Sequence, residues 1–235
     1  MSSAGVLLLQ RKTMKKPITD APIFEPDTWL TRTDRLVSDG NSKIGGTMNV
    51  SLLPGITCPS QVPCSRTCYA IKTMGYAPTA MKRWLCNTML WKQNPARFEQ
   101  TLLVQIAKRK PMFFRWHVAG DIPDPAYLQM MWRVAAENPK VRFLAFTKRW
   151  TDPEMPILDA PEGVKNLNLV LSGWPGYEEG TFWGFVACGF PFSWVNLRKT
   201  ERPAPKKCKP CPGNCETCRL CWNLKPGKGV VFNEH

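Results

Sequence analysis

Between Thr47 and Leu197, strand-like apolar runs alternate with segments of helical period, and this alternation constrains the fold more than any other feature. Thr47–Leu53 reads as a strand closed by Pro54-Gly55. Thr79–Lys92 reads as a helix, with Met81, Trp84, Leu85, Thr88 and Met89 near one face, and Asn94-Pro95 restarts a second helix to about Lys108. Met112–Val118 is strand-like. Asp124 is a good N-cap, and Pro125 a good first residue, for a helix over Pro125–Glu137. Arg142–Phe146, Asn168–Leu171, Trp183–Ala187 and Ser193–Leu197 read as further strands. Strands separated by helices predict a mostly parallel sheet with right-handed crossovers. Five or six strands are too few for a regular eight-unit barrel. The expected fold is therefore α/β: a small or irregular TIM-like βα barrel, with an open doubly wound sheet as the second choice. No glycine-rich phosphate loop follows any strand, which speaks against a nucleotide-binding sheet.

The 235 residues suit one large domain or two small ones. Residues 1–45 hold Pro17, Pro22 and Pro26 among short apolar pieces and read as an irregular arm. Residues 46–200 form the barrel-like domain, and residues 201–235 a Cys-rich metal-binding segment and tail. No apolar run approaches the ~20 residues of a membrane helix, and Gly5–Leu9 is too short for a signal-peptide core. The expectation is a soluble protein of a reducing cytoplasm, with no membrane partner.

Eight of the ten cysteines fall into two groups. In a reducing compartment, clustered thiols point to metal ligands rather than disulfides. Cys215-Glu-Thr-Cys218-Arg-Leu-Cys221 has the spacing of iron–sulfur ligands, in which each thiolate turns back onto one compact cluster. Cys208 and Cys211 lie just upstream. A single zinc held by two CxxC pairs is the alternative, although a fifth cysteine exceeds one tetrahedral ion. The other group, Cys58, Cys64 and Cys68, follows the first strand. Three thiolates there resemble radical S-adenosylmethionine enzymes, in which three cysteines bind a four-iron cluster whose open iron takes the cofactor. Their usual spacing is CxxxCxxC; Cys64 and Cys68 match its first step, but Ile71 stands where the third cysteine would be. The eight thiols are enough for one or two clusters of the 4Fe-4S type. The first group has three, so Cys208 or Cys211 is the candidate to complete a set of four. Loops after parallel strands gather at one rim, so both groups are expected there. Cys86 within a helix, and Cys188, read mainly as buried thiols.

Arg115, His117 and Asp121 lie in or just after the second strand, and Thr147-Lys148-Arg149 follows the third. Strand alternation puts Arg115 and His117 on one face. These three are the candidate catalytic residues, with His117 as proton donor or substrate contact and Asp121 orienting it. The competing reading is a core histidine satisfied by a neighbouring carbonyl. Thr147-Lys148-Arg149 reads either as an anion contact or as a solvated edge. Trp222, next to Cys221, would shield a cluster from solvent. Most of the other aromatics fall at core-facing positions.

Taken together, Cys64-Ser-Arg-Thr-Cys68-Tyr-Ala, Phe114-Arg-Trp-His-Val-Ala-Gly-Asp121, Phe143-Leu-Ala-Phe-Thr-Lys-Arg149 and Cys215-Glu-Thr-Cys218-Arg-Leu-Cys221-Trp are similar to the phage gene product 88 family. The resemblance spans about residues 48–222. It implies a viral origin, hence a host-cytoplasmic location, and convergence of both cysteine groups at one end of the fold, but no particular reaction.

The net charge is +14, and residues 46–110 contribute nine cations against Glu99 alone. A basic face fits a polyanion such as nucleic acid, or offsets negative charge held inside the protein. Two functions compete. The first is a viral iron–sulfur protein, an oxidoreductase or radical-type enzyme with chemistry at the C-terminal rim and a small or anionic substrate or an electron-transfer partner. The second is a zinc-stabilised basic protein that binds nucleic acid, using residues 46–110 and Arg198–Lys209, without catalysis.

Overall fold

In the computed structural model the described residues are 35–41, 43–155, 157, 160–197 and 205–234. Most of the expected N-terminal arm, with its Gly5–Leu9 run, lies outside them, as does most of the basic run 198–209. Eight strands form one sheet: β1 (Val37–Ser38), β2 (Met48–Val50), β3 (Phe113–Trp116), β4 (Arg142–Thr147), β5 (Leu167–Gly173), β6 (Phe192–Asn196), β7 (Cys208–Pro210) and β8 (Gly229–Asn233). Their order is β1-β2-β3-β4-β5-β6-β8-β7, parallel throughout except for β1 against β2. Among the described residues the α-helices are α1 (Tyr69–Tyr76), α2 (Pro78–Gln93), α3 (Pro95–Arg109), α4 (Pro125–Glu137), α5 (Glu179–Ala187) and the single turn α6 (Cys215–Cys218).

From β2 to β6 each strand is laid down beside its predecessor in the same direction. Right-handed crossovers that always step one way place every connecting helix on the same face. The packing follows. Phe114 and Trp116 of β3, Phe143 and Ala145 of β4, and Leu169 and Leu171 of β5 join one core with Phe98, Leu102, Tyr127, Met131 and Phe182 from the helices. Their alternates, Phe113, Leu144, Phe146 and Val170, face the other way, onto Trp222, Leu224 and the cysteine-rich segment.

The barrel expectation is corrected: β1 and β7 are free edges, and no ladder closes the sheet among the described residues. The sheet nevertheless curls. Phe146 of β4 and Phe232 of β8 are three ladder steps apart, about 14 Å in a flat sheet, yet their ring centroids lie 5.7 Å from each other. The cysteine-rich segment spans the concave side: the Cys211 amide donates to Val231 O (2.9 Å) and the Cys215 amide to Lys43 O (3.0 Å). At Gly45, φ is +60° and a Cβ would stand 2.2 Å from Glu216 Oε2, so only glycine lets α6 seat there.

Local signals placed several elements correctly. Asp124 caps α4 through Oδ1, which accepts from the Tyr127 amide (2.8 Å), and Asn94 caps α3 in the same way through the Arg97 amide (2.9 Å). The expected strand at Trp183–Ala187 is instead helix α5, because Phe182 and Val186, four residues apart, bury one helical stripe. Cys188 therefore caps a helix and is exposed, not buried at a strand end.

Trp222 is 6% exposed and donates its indole N–H to Phe114 O (3.0 Å), while Asn168 Nδ2 holds Cys221 O (2.6 Å). The C-terminal segment is thus part of the main fold. Trp222→Ala is expected to destabilise the whole chain by about 3–5 kcal/mol, read as one urea transition moved to lower denaturant. An unmoved main transition would mean that the segment folds as a separate knob.

Candidate functional site

The sequence-derived candidates separate into a rim set and an interior set. Cys58, Cys64 and Cys68 lie in the loop after β2, beside the turns that follow β3 and β4. Burial pushes the Cys58 thiol up to about 11, with the charges of Asp121 and Cys64 adding and Lys148 opposing. Tyr69, the first residue of α1, closes this group: its hydroxyl donates to Val118 O. Burial of that hydroxyl raises its pKa; Arg115 opposes the shift, and Cys68, Cys64 and Cys58 add to it.

Asp121 is 5% exposed and ties two loops, its Oδ1 accepting from the Ile122 amide (2.8 Å) and its Oδ2 from the Lys148 amide (2.9 Å). Its pKa is raised by burial, against the nearby Lys148 charge. Arg149 does the same work from the other side. It donates to Ile122 O (2.6 Å), Pro123 O and Thr57 O (both 3.1 Å), and pairs with Asp152 (3.1 Å). Arg149 is therefore a clamp between loops rather than an anion contact. The loops meet so closely that a Cβ at Gly120 (φ +80°) would lie 2.6 Å from Thr57 Oγ1. Thr57 carried no sequence signal, because its role depends on this long-range approach.

Arg115 and His117 do not share a face. His117 has φ +55°, a left-handed backbone that breaks strand alternation. Its ring turns to the helix side, with Nε2 3.2 Å from the Tyr127 hydroxyl, and is 4% exposed. Burial first, then the Arg115 charge, pushes its pKa down to about 3. His117 is thus a neutral core residue in this arrangement. Arg115 faces the concave side, its guanidinium 5.1 Å from the Phe146 ring centroid. Its Nε is buried with no hydrogen-bond partner among the described residues.

Of the C-terminal thiols, Cys215 and Cys221 lie within electrostatic reach of Arg115, and Cys211 and Cys218 within reach of both. The Cys221 thiol is pushed up to about 12 by burial, with Arg115 opposing and Cys215, Cys211 and Cys218 adding. Cys215 is raised by burial too, eased by Arg115 and Lys43. Cys211, Cys215 and Cys221 pack with Leu144, Val170 and Trp222. Cys208 parts from them. It sits on β7 and packs into the helix-side core, and burial alone pushes it to about 11. The four interior thiols are anchored through Trp222 to β3 and through Cys221 O to the start of β5. Cys215 and Cys221 therefore meet Arg115 on the concave side, whereas Cys58, Cys64 and Cys68 stay with the loop at the rim. All ten cysteines are free thiols, and among the described residues no group of three or more His, Cys, Asp or Glu side chains is arranged to hold a metal ion. Cys86 is buried in α2 as expected.

Fold and site together define an α/β protein with a one-directional parallel sheet and a thiol-lined concave face. The Gene product 88 family profile matches residues 28–176, so the chain belongs to that phage family. It is 27% identical over 233 residues to the Gene 88 protein of Mycobacterium phage L5, covering 88% of this chain and 95% of that protein. No solved structure matches. No helix among the described residues is long and apolar enough to cross a membrane.

The neutral His117 predicts acid sensitivity. Its folded pKa lies below the unfolded value near 6.5, so its contribution is complete above about pH 6.5. It is lost as pH falls toward 3, at up to about 1.4 kcal/mol per pH unit. Asp121, with a raised pKa, contributes in the opposite sense, so the wild type must be compared with a variant. His117→Asn tolerates the left-handed backbone and is expected to flatten the drop in urea midpoint between pH 7 and pH 4. An identical pH slope in the two proteins would refute the buried neutral histidine.

Proposed function

We propose that the chain is a phage iron–sulfur protein whose curled sheet acts as a partly closed barrel around thiolate-held clusters. The observation that carries this reading is the separation of Cys208 from its neighbours, which leaves Cys215 and Cys221 within electrostatic reach of Arg115 and Cys211 and Cys218 within reach of both thiols. Four soft thiolates suit a fully ligated cluster. The buried, partnerless Nε of Arg115 supports the same reading, because a buried donor without a partner fits a bound anionic group. The apolar walls Leu144, Val170 and Trp222 would exclude water from it. Arg115 and Lys43 would balance its negative charge, which at about −2 for four thiolates on a common cluster is too costly to bury unpaired.

Cys58, Cys64 and Cys68 would hold a second cluster at the rim. Three protein ligands leave one metal position open to an outside ligand. A cluster there would supply one-electron chemistry to a small or anionic substrate, or pass electrons to a partner. The chain's own contributions follow from the geometry. Lys148 offsets charge beside Cys58, Tyr69 screens the group from the interior, and Asp121 and Arg149 fix the loops that carry it.

Anaerobically purified protein is expected to be brown and to contain about eight iron and eight sulfide per chain if both sites carry four-iron clusters. Replacing Cys215, Cys218 or Cys221 by Ser should remove about half of each, whereas Cys208→Ser should retain all. Zinc without sulfide in a colourless protein, or protein without metal, would overturn the proposal.

A further inference from the structure

From Gly40 to Phe98 the chain contains no Asp or Glu but seven Lys and Arg residues. This stretch builds the β2 loop, α1, α2 and the start of α3. Exposed large apolar side chains concentrate in the same place. Of the six among the described residues, Ile56, Tyr69, Ile71 and Tyr76 lie between residues 56 and 76, and Tyr76 is 76% exposed. Exposed Arg66 and Lys72 alternate with them along the chain.

Contacts set this surface at the rim. Tyr69 bonds Val118 after β3, and Ala70 packs with Ala119. The Trp91 indole donates to Asp124 Oδ2 (2.8 Å), which brings exposed Lys92 and Arg97 to the same end of the sheet. The described carboxylates of the loops after β3 and β4 offset these cations only in part, through Asp124 and the exposed Glu154. Asp121 is buried, Asp124 accepts from Trp91 and Tyr127, and Asp152 pairs with Arg149.

We infer that this rim surface binds single-stranded nucleic acid. Cations contact the phosphates, and the exposed tyrosine of α1 offers a face on which an unpaired base stacks. Single-stranded rather than duplex nucleic acid is favoured because a stacking platform engages only bases freed from their partners. The inference stands on charge and exposure and is independent of whether the thiols carry metal.

The test is fluorescence anisotropy of the full chain, as purified, with a labelled oligothymidylate of about 16 nucleotides and with a duplex of equal length. The single strand should bind at ~50 mM salt and weaken steeply by ~200 mM. Tyr76→Ala should lower its affinity about tenfold. Replacing Lys72 and Arg97 together by Gln should flatten the log–log salt slope by about 1.4, from about 0.7 per phosphate contact. Replacing Lys108 and Lys110, at the far end of α3 where Arg109 meets Asp39, should change neither quantity. All these side chains are exposed, so unchanged melting temperatures will separate lost binding from lost folding. No binding at ~50 mM salt would overturn the inference. So would a duplex bound as well as the single strand with no effect of Tyr76→Ala, or an equal loss from the far-end pair.

Discussion

From β2 to β6 every crossover steps the same way, so one face of the sheet is covered by these connections and the other is left bare, while the β7-to-β8 connection steps back. In this chain the bare face carries Phe113, Leu144, Phe146 and Val170. Apolar surface left in water forgoes roughly 25 cal/mol per Å², so this face must be covered. A regular barrel solves the problem by closing on itself. Here the sheet stops short of closure, and residues 211–224 fill the concavity, with Trp222 and Leu224 as the apolar plug. The cysteines of that segment are consequently interior groups, and their placement follows from how the sheet is wound.

The same geometry explains where a positive charge is half-buried. Arg115 occupies an inward position on a strand flanked on both sides by others, where a cation without company would be costly. The Phe146 ring face meets part of that cost, since a guanidinium over an aromatic ring is attracted to it. The thiols of Cys215 and Cys221 lie within its electrostatic reach, and a thiolate or a thiolate-bound anion is a better partner than a neutral thiol. Arg115 also lies within electrostatic reach of Tyr69, so one cation faces both the interior set and the residue that closes the rim set.

How much of this could be read in the chain depends on whether the deciding interaction is local. Helix α4 begins and ends as expected because Asp124 and Pro125 write its start into adjacent positions. The strand at Phe113–Trp116 and its neighbours were legible from apolar alternation. Helix α5 was not, since Thr-Phe-Trp-Gly-Phe-Val favours a strand by composition and only the stripe of Phe182 and Val186 against the core makes it helical. Strand β8 was missed because its five residues gain their partners from β6 and β7, far away in sequence. The spacing left Cys208 or Cys211 as the C-terminal thiol to stand apart, and the choice between them was hidden for a related reason. Cys208 is set apart by the facing of β7, a strand that exists only through its pairing with β8. The shared face expected for Arg115 and His117 failed because strand alternation was carried one residue too far, past the point where the backbone turns left-handed.

That left-handed turn, and the positive φ at Gly120, bend the chain sharply at the rim. Strained or tightly turned backbone persists only where its surroundings over-determine it. Here they do. The His117 amide donates to Val50 O, the Val118 and Ala119 amides to Ser51 Oγ, Asp121 fastens the β3 loop to Lys148, and Arg149 gathers carbonyls from two loops. The ends of β2, β3 and β4 are thereby locked to one another by directed hydrogen bonds from buried or half-buried side chains. A locked rim holds the Cys58–Cys68 loop against a fixed base, and such preorganisation lets ligand side chains meet a bound group without first ordering the scaffold. The part of the rim left open is α1, which buries Ala70, packs the half-buried Met74 beside it and turns Ile71, Lys72 and Tyr76 outward. Hydrogen bonds beneath the thiols and an open surface beside them divide the rim into a locked side and an exposed one.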